Sequence, residues 1–93
     1  MIKSFNCKET EKIFSGIVSK KFPHDLQSRA LRKLTMLDAA ENIDDLKRPP
    51  SNRLEKLSGD RSKQYSIRIN DKYRICFEWI DNESENVEIV DYH

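Results

Sequence analysis

The sequence predicts an α+β fold, with a short N-terminal strand and two helices packed on one face of an antiparallel β-sheet. Three observations carry this. Residues 24–40 repeat apolar side chains at helical spacing, with Leu26, Ala30, Leu34 and Leu37 on one face. Residues 65–79 switch to strict alternation: Tyr65, Ile67 and Ile69 take turns with Ser66, Arg68 and Asn70, then Tyr73, Ile75, Phe77 and Trp79 with Arg74, Cys76 and Glu78. Between these regions Pro49-Pro50 stops any helix and marks a bend.

Taken in order, Ile2 to Phe5 reads as a short strand. Residues 8–20 read as a helix, because Ile13, Phe14, Ile17 and Val18 form one stripe. Lys20, Lys21, Phe22 and Pro23 end it. In the 24–40 helix Asp25 sits at the start, where a carboxylate suits the helix dipole, and Arg29, Arg32 and Lys33 face away from the apolar side. A short helical turn is expected at Ile43 to Leu46. Asn52 to Leu57 then reads as a strand ended by Ser58-Gly59-Asp60. Asn70-Asp71-Lys72 joins the two alternating runs into a hairpin, Asp81 to Glu85 is a second turn, and Val87 to Asp91 is a last strand. One sheet face should pack on the helices while the other stays open. No repeat, linker or second composition is visible, so residues 1–93 read as one domain.

Composition narrows the function. At 37% hydrophobic and 35% charged, with only two Gly and three Pro, the chain can fold around a modest core and is not low-complexity. Cys7 and Cys76 show neither zinc-type spacing nor a bridge framework. Cys76 lies in an apolar run and reads as a buried free thiol. No signal-like segment or membrane-length apolar run is present, so a cytoplasmic protein without membrane contact is expected. The two histidines stand apart, and Gly16 and Gly59 stand alone, so neither a metal constellation nor a phosphate loop is expected and no cofactor is called for.

The formal net charge is +1, but it is unevenly placed. Residues 51–80 hold seven Lys/Arg against four acids; residues 81–93 hold five acids and neither Lys nor Arg. A solvated surface is the ordinary explanation of such clusters. The hairpin register offers another. With residues 70–72 as the turn, Ile69 faces Tyr73, Ile67 faces Ile75, and Arg68 faces Arg74 on the open side. Like charges directly opposite are unfavourable. A polyanionic partner would relieve them, and arginine's planar fork suits phosphate. Solvation, or pairing with Glu78 and Glu88, would relieve them as well.

The run Val90-Asp91-Tyr92-His93 follows the last strand. RNA cleavage by internal attack needs a base for the 2′-hydroxyl proton, a cation at the phosphate and an acid for the leaving 5′-oxygen. Histidine can move either proton, arginine can stabilise the charge, Asp91 can orient His93, and Tyr92 can stack on a base. Arg68 and Arg74 would hold the phosphate, with Lys56, Arg53 and Arg61 adding positive charge. Glu55 could accept a proton but reads as an exposed strand carboxylate. His24 reads as a surface or capping residue. Phe77 and Trp79 read as core.

The segments Met1-Ile2-Lys3-Ser4-Phe5, Leu54-Glu55-Lys56-Leu57-Ser58-Gly59-Asp60-Arg61, Tyr65-Ser66-Ile67-Arg68-Ile69-Asn70, Tyr73-Arg74-Ile75-Cys76-Phe77 and Val87-Glu88-Ile89-Val90-Asp91-Tyr92-His93 resemble HigB-type toxins of the RelE/ParE superfamily. The similarity spans the chain. The resemblance implies a microbial RNase-like fold and a type II toxin–antitoxin system. It implies a toxin that cleaves mRNA in the ribosomal A site without a metal. A helix-turn-helix HigA-type antitoxin would neutralise it, and operator DNA would be reached only through that complex. Arg74 matches the family's phosphate-binding arginine, and Asp91, Tyr92 and His93 its terminal catalytic group. Some members carry a histidine and a lysine where this chain has Glu55 and Ser58, which opens the base to reassignment to Asp91 or Glu55. ParE-like relatives share the fold and act on DNA gyrase, so a gyrase-directed toxin, or an inactive antitoxin- or nucleic-acid-binding module, is the alternative. Asp-Tyr-His favours RNA cleavage.

Overall fold

Helix α1 spans Lys8–Phe14 and stops well short of residue 20. The cause is Gly16, whose φ is +82°. Its N–H donates to the Ile13 carbonyl at 3.0 Å, and the Ile17 N–H donates to the Lys12 carbonyl at 2.8 Å. These two bonds form the Schellman arrangement, which closes a helix on a left-handed residue. The predicted stripe is cut in half: Ile13 is buried, while Ile17 and Val18 stand exposed. The structure is a computed structural model and describes residues 1–92.

Helix α2 spans His24–Ala39 and buries Leu26, Ala30, Leu34 and Leu37, as the periodicity predicts. Gln27 fastens the preceding loop to it, accepting from the Ser19 N–H and donating to the Ser19 and Phe22 carbonyls. A 3-10 turn at Ile43–Lys47 follows where expected, started by a reciprocal Asn42/Asp45 capping box.

The predicted strand over 52–57 is mostly absent. Pro50–Asn52 makes a single 3-10 turn, Arg53 adopts a left-handed conformation (φ +44°), and only Glu55–Lys56 remains as strand β1. Asn52 enforces this. Its side chain is fully buried, donates to the Leu46 carbonyl at 3.1 Å and the Arg48 carbonyl at 3.3 Å, and accepts from the Lys33 ammonium. A strand here would leave those groups without partners.

Strands β2 (Gln64–Arg68), β3 (Tyr73–Ile80) and β4 (Glu83–Asp91) complete an antiparallel sheet in the order β1-β2-β3-β4. The predicted hairpin register holds: Ile67 pairs with Ile75, and Arg68 with Arg74. β4 begins earlier than expected. Asp81 and Asn82 both take positive φ, giving a two-residue turn that twists with its strands. A bulge shifts β4 by one residue opposite Phe77. Ile2 and Phe5 do not form a regular strand; each makes one parallel bridge to β4, at Ser84 and Val87.

The core lies between α2 and one sheet face, where Ile67, Ile75, Phe77, Val87 and Ile89 meet Leu26, Leu34 and Leu37. Trp79 packs edge-on to Phe77 at 6.3 Å. Thr10 ties α1 to the sheet by accepting from the Ile89 N–H at 3.0 Å. Among the described residues no helix is long and apolar enough to cross a membrane.

Candidate active site

Strand alternation sends Ser66, Arg68, Arg74, Cys76, Glu88 and Val90 to the face away from the helices. The register sets them in rows: Val90, Arg74 and Arg68 in one, and Glu88, Cys76, Ser66 and Glu55 in the next.

Arg74 is the centre of this face and is only 8% exposed. Its Nε donates to the Ser66 hydroxyl at 2.8 Å, and its Nη2 donates to the Arg53 carbonyl at 2.5 Å and the Ser66 carbonyl at 3.3 Å. The Glu55 carboxylate approaches Nη2 at 3.9 Å from β1. Just past the end of β4 the Tyr92 ring lies with its centroid 5.7 Å from the guanidinium carbon. That ring is held by the backbone, since the Tyr92 N–H donates to the Lys72 carbonyl at 2.7 Å. The buried guanidinium is thus hydrogen-bonded and has a carboxylate at hand, as a buried cation requires.

The opposed arginines do not wait for an outside anion. Arg68 turns to Asp71 in the hairpin loop, and Arg74 to the Glu55 side. Glu78 and Glu88, the partners weighed from the sequence, are engaged elsewhere. Glu78 accepts from Asn86 at 2.8 Å, and Glu88 accepts from Asn6 at 2.6 Å and meets Arg61 at 3.4 Å. Arg61 also donates to Gln64 at 2.7 Å. Cys76 on the same face is a free cysteine and fully buried. Burial pushes the Cys76 thiol pKa up, with Glu88 adding and Arg61 and Arg74 opposing. Enclosed and with its pKa raised, Cys76 is a poor nucleophile.

Two expected members of the cluster fall on the other side of the sheet. Lys56 pairs with Tyr65, and its ammonium lies 4.6 Å from that ring. It is Glu55, one residue earlier, that reaches Arg74. Asp91 pairs with Tyr73 on the helix-facing side, where its carboxylate lies 3.7 Å from the Lys72 ammonium. Tyr92, one residue later, returns to Arg74. Arg53 joins the site through its carbonyl. His93 lies outside the described residues. His24 opens α2 on the exposed surface, as expected.

Lys33, expected to face away, is half-buried against Asn52. Burial lowers its pKa, reinforced by Arg32, Arg68 and Arg29. The shallow depression lined by Asn6, Asp60, Arg61, Lys63, Glu78 and Glu88 is of mixed sign. Among the described residues no three His, Cys, Asp or Glu side chains gather to hold a metal ion.

The structure brings the sequence-predicted Arg74 and Tyr92 together with Glu55, which the sequence offers as an alternative base, and adds Ser66, to which the sequence assigns no role. The register held the signal for Ser66, because it puts that residue on the Arg74 face one position from Arg68.

Comparison with known proteins adds a family context. Residues 3–93 match the model of HigB-like toxins, described as RelE-like toxins of the type II toxin–antitoxin system HigB. The Endoribonuclease HigB of Proteus vulgaris is 32% identical over 93 residues, covering all of both chains. Toxin HigB-1 of Vibrio cholerae is 42% identical over 64 residues, covering 69% of this chain and 67% of that protein. Among solved structures, the heterotetrameric YoeB–YefM toxin–antitoxin complex from Staphylococcus aureus contains a chain that superimposes with a TM-score of 0.63 at 19% identity, over 100% of this chain and 95% of the other. At that identity the likeness speaks for the fold alone.

Proposed function

The chain belongs to the HigB-like, RelE-like toxins of type II toxin–antitoxin systems, and from that premise we propose that it is an endoribonuclease that cuts mRNA in the ribosomal A site. The observation that carries this reading is the Arg74 centre: a nearly buried guanidinium on the sheet face away from the helices, between a carboxylate on β1 and an aromatic ring after β4.

Cleavage by internal attack places the 2′-oxygen and the 5′-oxygen on opposite sides of the phosphorus. Arg74 lies at the middle, where negative charge develops on the phosphate oxygens. Glu55, on Arg74's side of the sheet, takes the 2′-hydroxyl proton as the new O–P bond forms. His93, next along from Tyr92, gives a proton to the 5′-oxygen as the old bond breaks. The products are a 2′,3′-cyclic phosphate and a free 5′-hydroxyl. Asp91, on the far side with Lys72, fixes the strand end rather than moving a proton. Tyr92 stacks on a base or donates from its hydroxyl. Arg68, Arg53 and Arg61 add positive potential around the backbone of the RNA, and Lys56 contributes only from the sheet edge. These groups supply base, cation and acid without a metal.

The ribosome presents the mRNA in the cytoplasm, so free RNA is cut poorly. A HigA-type antitoxin neutralises the toxin, and operator DNA is contacted only through that complex. The test is mRNA cleavage on purified programmed ribosomes by wild type and by a variant lacking His93. Cleavage that collapses without His93 is the expected result. Equal cleavage by both would move the acid away from His93, and no cleavage by folded wild type would sink the RNase reading.

A further inference from the structure

We propose that Ser66 and the Arg53 backbone carbonyl form a socket that holds one edge of Arg74, so that only its Nη1 side is offered to the RNA phosphate. This rests on the reading of Arg74 as the phosphate-binding group, and it assigns positioning roles to two groups outside the reacting atoms.

A guanidinium carries five N–H donors in one plane. The side-on fork of Nε and Nη2 is the pair with which arginine grips an anion bidentately. Here that fork is occupied by the protein. Nε donates to Ser66 Oγ at 2.8 Å, and Nη2 to the Arg53 carbonyl at 2.5 Å, with the Ser66 carbonyl at 3.3 Å behind it. Among the described residues no acceptor is bonded to Nη1. The phosphate must therefore meet Arg74 end-on, through Nη1, beside the Tyr92 ring.

Two separate devices build the socket. Ser66 is fully buried on the open face of the sheet. A hydroxyl enclosed there is unfavourable unless it is hydrogen-bonded, and the Arg74 Nε–H supplies the bond. Arg53 takes a left-handed conformation, φ +44°, which a side-chain-bearing residue seldom adopts. The preceding residue, Asn52, is anchored by its own buried bonds to Leu46 and Arg48. The chain thus leaves Asn52 with the Arg53 carbonyl aimed at Nη2. Strain of this kind persists where the surroundings over-determine it. The result is a cation whose rotamer is fixed before RNA arrives, as preorganised transition-state stabilisation requires.

The test uses the full chain as wild type, Ser66→Ala and Ser66→Thr. The Arg74 Nε–H is followed by nitrogen-edited NMR, and single-turnover cleavage is followed on programmed ribosomes. In wild type the Nε–H should exchange slowly with water. Ser66→Ala should lose that protection, and its cleavage rate should fall roughly 10- to 100-fold while the half-saturating ribosome concentration stays unchanged. Ser66→Thr, which keeps the hydroxyl, should restore both. Rapid Nε–H exchange in wild type, or a wild-type rate in folded Ser66→Ala, would overturn the socket. A wild type that cuts no mRNA but shows a Ser66-dependent, protected Nε–H would sink the RNase reading and leave the socket standing.

Discussion

Arg74→Lys separates charge from shape. The substitution keeps one positive charge on β3, so any role that needs only local potential should survive it. Under the proposed function, more than charge is needed. Arg74 reaches the Ser66 hydroxyl, the Ser66 carbonyl and the Arg53 carbonyl from two nitrogens of one rigid plane. A lysine ends in a single nitrogen on a flexible stem and cannot span the hydroxyl and the Arg53 carbonyl together. It therefore gives up at least one bond from a charged donor, worth about 1.5–3 kcal/mol, and leaves a buried acceptor unpaired. Loss of a preorganised donor at the reacting phosphate lowers kcat by about 10²–10³. Urea denaturation should thus show a loss of about 2–3 kcal/mol, and mRNA cleavage on programmed ribosomes should fall by two to three orders of magnitude, as the same donor-loss range implies. A lysine variant that cuts like wild type would refute the argument, because charge alone would then suffice.

Two further predictions concern the frame around the site. Gly16→Ala meets no atom within 4 Å of the new Cβ, so its cost comes from φ +82° alone: about 1–2 kcal/mol by urea denaturation, with cleavage on ribosomes intact. An unchanged stability would show that the end of α1 is not held by the left-handed residue. The pKa of Glu9 is lowered by the Ser19 hydrogen bond first and by Lys12 second. A carboxylate whose folded pKa lies below its unfolded one contributes stability above the unfolded pKa and loses it as pH falls through the folded pKa. The stability gap between wild type and Glu9→Gln should therefore be open at neutral pH and close on acidification. A gap that is constant with pH would contradict the assignment.

The parts of the fold legible in the sequence were those with an uninterrupted period. Helix α2 and the β2–β3 hairpin each repeat one spacing over enough residues to fix their buried face, and the short turn fixes the register as well. Where one residue overrides a local pattern, the reading went astray. Ser15-Gly16 closes α1 although Ile17 and Val18 continue its stripe. Buried Asn52 breaks the run through Leu54 and Leu57 that looks like a strand. The side of the sheet on which each site candidate lies was hard to read for a related reason. A two-residue strand such as β1 has no period of its own, so its partner β2 decides that Glu55, and not Lys56, faces Arg74. Counting alternately from Val87 and Ile89 does place Asp91 with the core side and Tyr92 with Arg74. Ser66 went unweighed because a small hydroxyl between apolar strand residues reads as ordinary surface until something covers it.

The shape of the site bears on how it works. Sites that hold a ligand by themselves are concave and enclose most of its surface. At the Arg74 end of this sheet the guanidinium fork is already occupied, and the neighbouring depression is edged by Glu78 and Glu88. The formal charge is only +1, so long-range attraction for a polyanion is weak. Under the proposed function such a face binds RNA poorly in isolation. It becomes effective when another body delivers the scissile phosphate already oriented, since the donor awaiting it needs no rearrangement. The rigid Arg74 socket and the dependence on the ribosome are then two sides of one arrangement: the protein fixes the cation, and the ribosome fixes the RNA. Effective molarities for groups held in this way are large enough to replace binding affinity as the source of rate.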